Sequence, residues 1–140
     1  MKVTVLGASG RVGSEIVKEL ARRGHQVTGV ARRPDRVPAG AGVTAVAGDV
    51  NQPATLAPAL VGADVVVSAV MFVDSDPVLL LQALKDASVP RYLVGGGAGS
   101  LEIAPGQRLV DTPDFPEAYK AEALSGGRFL NALRAEPELN

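Results

Sequence analysis

The chain has 140 residues and a mass of 14.3 kDa, which predicts one domain with no separate substrate domain. Fourteen basic residues face fifteen acidic ones, and a net charge of −1 excludes the strong field expected of a protein that binds nucleic acid or an acidic membrane surface. With no Cys and one His, the sequence also excludes a disulfide scaffold, a thiolate zinc site, a cysteine nucleophile and a multi-histidine metal site.

The apolar content predicts a folded aliphatic core and no membrane anchor. Apolar residues make up 46% of the chain but aromatic residues only 4%, so the core is expected to consist of Val, Leu, Ile and Ala. The first apolar run stops at Gly7, which is too short for a signal peptide, and no stretch approaches the roughly 18 apolar residues of a membrane span. We therefore expect a soluble cytoplasmic protein.

Short apolar runs alternate with helical patterns along the chain. Strands are predicted over residues 3–6, 26–30, 43–47, 65–70 and 91–94. Helices are predicted over 14–23, 53–60, 77–87 and 116–134, the last weakened by Gly126 and Gly127. A turn rich in Pro and Gly covers 34–42, and a long irregular loop is expected over 95–116.

The strands are continuous apolar runs without a clean alternation of polar and apolar residues. Such runs are typical of a parallel sheet that is covered by helices on both faces. Because strand–helix–strand units are right-handed, the alternation predicts an α/β fold with an open, doubly wound parallel sheet of order 3-2-1-4-5.

A glycine-rich turn between the first strand and the first helix is the strongest motif. It reads Gly7-Ala8-Ser9-Gly10-Arg11-Val12-Gly13, a GxxGxxG spacing and not the GxGxxG of the standard dinucleotide fingerprint. Glycines there let a pyrophosphate approach the backbone, and the helix N-terminus offers free N–H groups and a favourable dipole. We interpret this turn as a dinucleotide site; the alternative is a purely structural turn.

Two arginines follow the second strand, where a site selective for NAD carries an acidic residue. A carboxylate at that position binds the ribose 2′-hydroxyl, whereas an Arg pairs with the 2′-phosphate of NADP. Here Arg32 and Arg33 occupy the position, and Arg11 could add a third positive charge. The pattern predicts NADP(H), with NAD(H) as the alternative. The interpretation without a cofactor is that Arg32 and Arg33 are a solvated pair on the surface.

Residues that end the third and fourth strands complete the predicted cofactor site. Asp49, followed by Val50, is positioned to accept from the adenine amino group, although a capped turn explains it as well. The small residues Ser68 and Ala69, followed by Val70, leave room for the central ribose. Met71 and Phe72 come next, either as a wall for a flat acceptor or as core.

With these motifs the chain resembles an atypical short-chain dehydrogenase/reductase, specifically the small bacterial proteins assigned as NADH-flavin reductases and related to biliverdin-IXβ reductase. The resemblance covers the whole chain and rests on the glycine turn and on four further segments, GHQVT at 24–28, GDV at 48–50, DVVVSA at 64–69 and the stretch 94–119. It implies an NAD(P)-binding domain and, in many members, a flavin or similar acceptor.

The sequence departs from that family pattern at its catalytic residues. The wider superfamily uses a Tyr four residues before a Lys, but here Tyr119 is followed at once by Lys120, and position 123 is Ala. Adjacent helical residues point about 100° apart, so these two cannot form the usual relay. The superfamily's Ser is replaced by Gly95, Gly96 and Gly97, leaving Ser100 as a weak substitute.

The resemblance also implies a longer chain. Such proteins continue into a sixth strand, and residues 138–140 look like its start, so the 140-residue domain is expected to be truncated at its C-terminus relative to the family, the alternative being a naturally short protein. A fifth strand without its neighbour would expose an unpaired edge, and either a homodimer or marginal stability would follow.

These features predict an NADP(H)-dependent oxidoreductase that passes hydride to a flavin-like or other small acceptor, with Tyr119, Lys120 and Ser100 as the candidate catalytic residues. Flavin reduction by direct hydride transfer requires stacking more than a protein proton donor, which suits a site without the Tyr–Lys pair. One alternative is a dinucleotide-binding sensor without turnover. A second is a sugar-nucleotide epimerase or dehydratase, which the missing substrate domain disfavours.

Overall fold

The computed structural model describes residues 1–140 and contains seven strands and four α-helices. The strands are β1 (Lys2–Leu6), β2 (Gln26–Ala31), β3 (Val43–Ala47), β4 (Val65–Ser68), β5 (Tyr92–Val94), β6 (Glu102–Ala104) and β7 (Gln107–Arg108). The helices are α1 (Arg11–Arg22), α2 (Ala57–Leu60), α3 (Pro77–Asp86) and α4 (Glu117–Arg134). Four 3₁₀ turns lie at 34–36, 53–55, 72–74 and 109–111. None of the helices combines the length and apolar character that crossing a membrane requires.

The predicted fold is confirmed. Strands β1 to β5 form one parallel sheet in the order β3-β2-β1-β4-β5. The order changes direction at β1, whose neighbours are β2 and β4, and the connection after β1 leads to α1 on one face of the sheet while that after β4 leads to α3 on the other. In open α/β sheets this switch point is where ligands bind.

The core lies on both faces of the sheet and is aliphatic, as the composition predicts. One cluster joins Leu6, Val30 and Val66 of the sheet to α2, α3 and α4, and includes the buried Phe129. The second packs Val17 of α1 against the opposite face. Burial of both faces explains why the strands are apolar without alternation.

The structure corrects several predicted boundaries. The first helix begins at Arg11 and not at residue 14, and the fourth strand ends at Ser68, before Val70. The predicted helix over 53–60 is a 3₁₀ turn followed by the single turn of α2. Pro53 and Pro58 lie in this region, and the backbone donors that they lack limit helix length there.

The region expected to be an irregular loop contains an antiparallel hairpin, β6–β7. Its turn is Pro105-Gly106, with Gly106 at a φ of 75°, a conformation that favours glycine. At the end of β7, the Arg108 Nε donates to Asp111 Oδ2 at 2.8 Å, and this contact holds the pKa of the Asp111 carboxyl below its usual range. Asp111 is thus paired with Arg108.

The outer edge of β5 is partly covered by the end of the chain. The Tyr92 N–H donates to the carbonyl of Asn140 at 2.9 Å, and Leu139 packs against the core. Lys85 Nζ lies 3.1 Å from Glu136 Oε2. The Glu138 N–H and Lys85 hold the pKa of the Glu136 carboxyl below its usual range. The expectation of a bare edge is therefore wrong at Tyr92.

The Tyr92 hydroxyl is buried without a well-formed hydrogen bond, although it lies near Ser68. Burial raises the pKa of this phenol, so it stays protonated. Because an unsatisfied buried hydroxyl costs about 1–3 kcal/mol, Tyr92→Phe is expected to leave the free energy of unfolding unchanged or to raise it. Tyr92→Ala, which removes the ring, should lower it by about 3–5 kcal/mol. Urea unfolding of both variants measures this; a loss above 1.5 kcal/mol for Tyr92→Phe contradicts an unpaired hydroxyl.

Candidate dinucleotide-binding site

The turn after β1 is built around Gly7, which has a φ of 78°. The N–H groups of Gly7 and Ala8 both donate to the Val30 carbonyl, at 3.1 and 3.0 Å, which ties the turn to β2. A Cβ added at Gly7 would lie 2.8 Å from the Ala69 carbonyl oxygen. The turn thus passes directly beside the end of β4, and only glycine fits there.

The other two glycines of the motif have different surroundings. A Cβ at Gly13 would come within 2.0 Å of the Gly7 carbonyl oxygen, so Gly13 allows α1 to pack against the turn. A Cβ at Gly10 would meet only that same oxygen, at 3.4 Å. Gly10 is the N-cap of α1, and no side chain caps the helix, so the first N–H groups of α1 remain available.

A cleft of about 200 Å³ lies at the carboxyl edge of the sheet, over the switch point. Residues at or just after the carboxyl ends of β1, β2, β3 and β4 all line it. The predicted residues that line it are Gly7, Ser9, Gly10, Arg32, Asp49, Val50, Ala69 and Val70. Eight of the residues predicted to bind the cofactor are thus brought together.

The remaining predicted cofactor residues lie outside this cleft. Ala8 and Ser68 are buried, and Gly13 packs α1 against the turn. Arg11 and Val12 line a groove on the outer face of α1, and Val12 also reaches a second cavity. Arg33 is exposed at the start of the 3₁₀ turn 34–36, so Arg32 alone brings a positive charge to the cleft.

Among the cleft residues that were not predicted to bind the cofactor, Asn51 and Asp74 are the two with polar side chains. Asp49 Oδ1 accepts from the Asn51 N–H at 2.9 Å, the turn-forming role that was the alternative for Asp49. The Asn51 side-chain amide donates to the Asp74 carbonyl at 2.6 Å. Asp49 and Asp74 bring two carboxylates to the cleft, and such groups accept from an amino group.

A second cavity, of about 440 Å³, adjoins the cleft and is lined mainly by apolar atoms. Ala69, Val70 and Met71 line both spaces, so the segment after β4 separates them. The 3₁₀ turn with its preceding residue, 71–74, is called the dividing turn below. The other residues of the cavity include Gly95, Gly96, Gly97, Ser100, Phe115, Tyr119, Glu122 and Ala123. Met71 and Phe72 therefore form a wall, and Phe72 also packs on the core.

The structure places two of the three candidate catalytic residues in this cavity. Tyr119 and Ser100 line it, with Tyr119 67% exposed at the rim. Lys120 does not line it; its Nζ lies 3.9 Å from Glu117 Oε1 on the helix surface. Tyr119 and Lys120 are thus directed to different surroundings, as adjacent helical positions require.

The comparisons with known proteins agree with this geometry. The sequence model of the NAD(P)H-binding family matches residues 7–134, from the glycine turn to the end of α4. The chain belongs to the NAD(P)H-binding family. The resemblance to atypical short-chain dehydrogenases/reductases is confirmed.

Several relatives of this chain are longer than it is. The protein YwnB of Bacillus subtilis is 38% identical over 96% of the chain, which covers 66% of YwnB. A proposed epimerase from Bacteroides thetaiotaomicron is 35% identical with a TM-score of 0.88, over 99% of the chain and 67% of its own. A proposed NADH-flavin reductase from Streptococcus pneumoniae is 35% identical with a TM-score of 0.82, over 100% and 69%. The chain thus spans about two thirds of the length of these relatives.

Proposed function

We propose that this family member is the cofactor-binding part of an NADP(H)-dependent oxidoreductase that reduces a flavin-like acceptor. The observation that carries the proposal is the pair of adjoining spaces at the switch point, a cleft of mixed polarity beside the glycine turn and an apolar cavity beyond Met71. Two ligands bound side by side in these spaces would meet at the segment 69–71, which both share.

The residues of the cleft fit a dinucleotide. Gly10 leaves open space at the N-terminus of α1, where uncapped N–H groups and the helix dipole favour a pyrophosphate. Asp49 and Asp74 would accept from the adenine amino group. When bound, NADPH supplies a hydride, that is two electrons and one proton.

Arg32 supports NADP(H) over NAD(H). It is exposed, lies in the cleft after β2 and has no salt-bridge partner, so its guanidinium is available to a 2′-phosphate. No acidic residue follows β2 directly to accept from a ribose 2′-hydroxyl.

The apolar cavity supports a flat acceptor without charge on its ring. No Lys or Arg lines it, and its three consecutive glycines, 95–97, present backbone without side chains. Phe115, just before α4, and Tyr119, in its first turn, add aromatic surface to the cavity. These residues would stack on the acceptor and exclude water, which is how the protein contributes when the cofactor carries the chemistry.

The proposed function is tested by following NADPH oxidation at 340 nm with FMN as acceptor. We expect turnover with NADPH, and a higher KM for NADH. Dinucleotide binding is measured separately by fluorescence titration of NADPH. Tight binding of NADPH with no turnover of FMN or of a panel of quinones would replace the reductase by the second candidate, a redox sensor.

The sensor is favoured by one observation, the lack of a Tyr–Lys relay. Tyr119 lies at the rim of the cavity, and Lys120 points to Glu117 instead. A sensor would keep the cleft and lose the proton donor. The same observation is compatible with hydride transfer to a flavin, which requires no protein acid, so turnover decides between the two candidates.

For the reductase, Tyr119→Phe is expected to lower kcat by less than about tenfold, because a general acid would supply roughly 10²–10⁴-fold. Lys120→Ala is the matched variant outside the cavity and should leave kcat for FMN nearly unchanged. Steady-state kinetics of both variants measure this. A decrease of three orders of magnitude for Tyr119→Phe would restore a proton-donating reductase.

A further inference from the structure

The dividing turn, 71–74, is a short segment between two spaces and needs contacts from outside to fix its position. Its own backbone hydrogen bonds are long, 3.2 Å from the Asp74 N–H to the Met71 carbonyl and 3.3 Å from the Ser75 N–H to the Phe72 carbonyl. It belongs to no strand, and Met71 is 55% exposed. What holds this wall must therefore come from other elements.

Helix α4 supplies the strongest of these contacts through Glu122. Its Oε1 accepts from the Phe72 N–H at 2.7 Å, and its Oε2 accepts from the Val73 N–H at 2.9 Å. A carboxylate that accepts from two adjacent backbone N–H groups is held in one orientation, and charge-assisted bonds are about twice as strong as neutral ones. Both oxygens are engaged, so this carboxylate is not a free base in the cavity that it lines.

The same face of α4 also receives the Phe72 side chain. A Cβ at Gly126 would lie 3.0 Å from the Phe72 ring, so the ring rests on the helix backbone there. The Phe129 ring lies beyond it, 5.3 Å away between centroids and tilted by 52°. Residues 122, 126 and 129 share one helix face, and together they form a seat for the dividing turn.

The other end of the dividing turn, at Asp74, is held from the side of the cleft. There the Asn51 amide donates to the Asp74 carbonyl at 2.6 Å, so the two ends have separate supports. Loss of Glu122 would release the end with Phe72 and Val73, while Asp74 stays attached beside the cleft.

We propose that Glu122 is a positioning residue of the acceptor cavity: its carboxylate fixes the dividing turn, and with it the wall between acceptor and dinucleotide. The role of the cavity rests on the proposed function, whereas the fixing of the turn does not. Glu122 acts through Phe72 and Val73 and takes no proton from the acceptor.

The test compares Glu122→Gln and Glu122→Ala with Glu102→Gln, an exposed carboxylate on the hairpin. Amide hydrogen exchange of the free protein is followed by mass spectrometry. We expect exchange within 71–75 to accelerate about tenfold or more in the Glu122 variants, since hydrogen bonds to a charged group are lost. Gln retains one acceptor oxygen, so its effect should be smaller than that of Ala. Glu102→Gln should change nothing.

Kinetics with NADPH and FMN give the second readout. We expect the KM for FMN to rise about tenfold or more in Glu122→Ala, while the Kd of NADPH changes less than about threefold because Asn51 still supports Asp74. Unchanged exchange in 71–75 would overturn the proposal. So would exchange that accelerates throughout the protein together with equal losses for FMN and NADPH. If the unmodified protein fails to reduce FMN, the proposed function fails, and the exchange comparison alone decides whether Glu122 fixes the turn.

Discussion

Gly10→Val is expected to abolish NADPH binding, with at least about a hundredfold rise in Kd, while the protein stays folded. The backbone of Gly10 has a φ of −76° and a ψ of 172°, which valine adopts readily. An added Cβ meets only the Gly7 carbonyl oxygen, at 3.4 Å, so the fold can accept the side chain with a small shift. The new methyl groups would occupy the space beside the N-terminus of α1, where the pyrophosphate is proposed to lie.

Gly13→Ala is the matched control for that experiment. Its Cβ would come within 2.0 Å of the Gly7 carbonyl oxygen, so this smaller substitution should destabilise the protein, by about 1–3 kcal/mol or more. Thermal unfolding separates loss of fold from loss of binding, and fluorescence titration gives the Kd. Normal NADPH binding by a folded Gly10→Val protein would mean that the glycine turn is structural only.

Arg32→Ala is expected to weaken NADPH binding by about 1.5–3 kcal/mol, the range of a hydrogen bond to a charged group, which is roughly tenfold to a hundredfold in Kd. NADH binding should change little, because NADH has no 2′-phosphate. Arg33→Ala is the control, since Arg33 is the adjacent guanidinium but does not line the cleft. Its effect on both cofactors should be small.

The measurement is a pair of titrations, NADPH and NADH, for each arginine variant at two salt concentrations. A charge pair with the phosphate weakens as salt rises, so the advantage of NADPH over NADH should shrink in the unmodified protein and be absent in Arg32→Ala. Equal losses for both cofactors would reject the assignment of Arg32 to the 2′-phosphate.

The sequence was sufficient to predict the sheet and the glycine turn because both have local signals. Buried parallel strands are continuous apolar runs, as in Val65–Ser68, and right-handed crossovers limit their order. Gly13 is required by its contact with Gly7 six residues earlier, and Gly7 has a positive φ at the end of its strand, although the atoms nearest to an added Cβ there belong to Ala69 and Val70 after β4. Arg32 was identified because it directly follows the end of β2.

The wall of the cavity could not be predicted in the same way. The contacts from Glu122 to Phe72 and Val73 join residues about 50 positions apart, and nothing near Glu122 in the sequence indicates them. Gly126 was interpreted as a weakness of the last helix, whereas in the structure it accommodates the Phe72 ring. The hairpin was missed although Pro105-Gly106 is a recognised turn signal, because its strands have only three and two residues.

The pairing of β1 with β4 has a consequence for how the protein folds. Val3 lies opposite Val65, and the cleft takes Gly7 from one side of this pairing and Met71 from the other. Parallel strands so far apart in the chain close a long loop before their contacts form, which slows folding. The cleft therefore exists only after the central sheet has assembled, and a partly folded chain cannot bind the dinucleotide there. A dinucleotide present at 100 times its Kd would add about 2.7 kcal/mol to the free energy of unfolding of the domain. Because it binds only the assembled sheet, it would stabilise the domain after folding without speeding the pairing of β1 with β4.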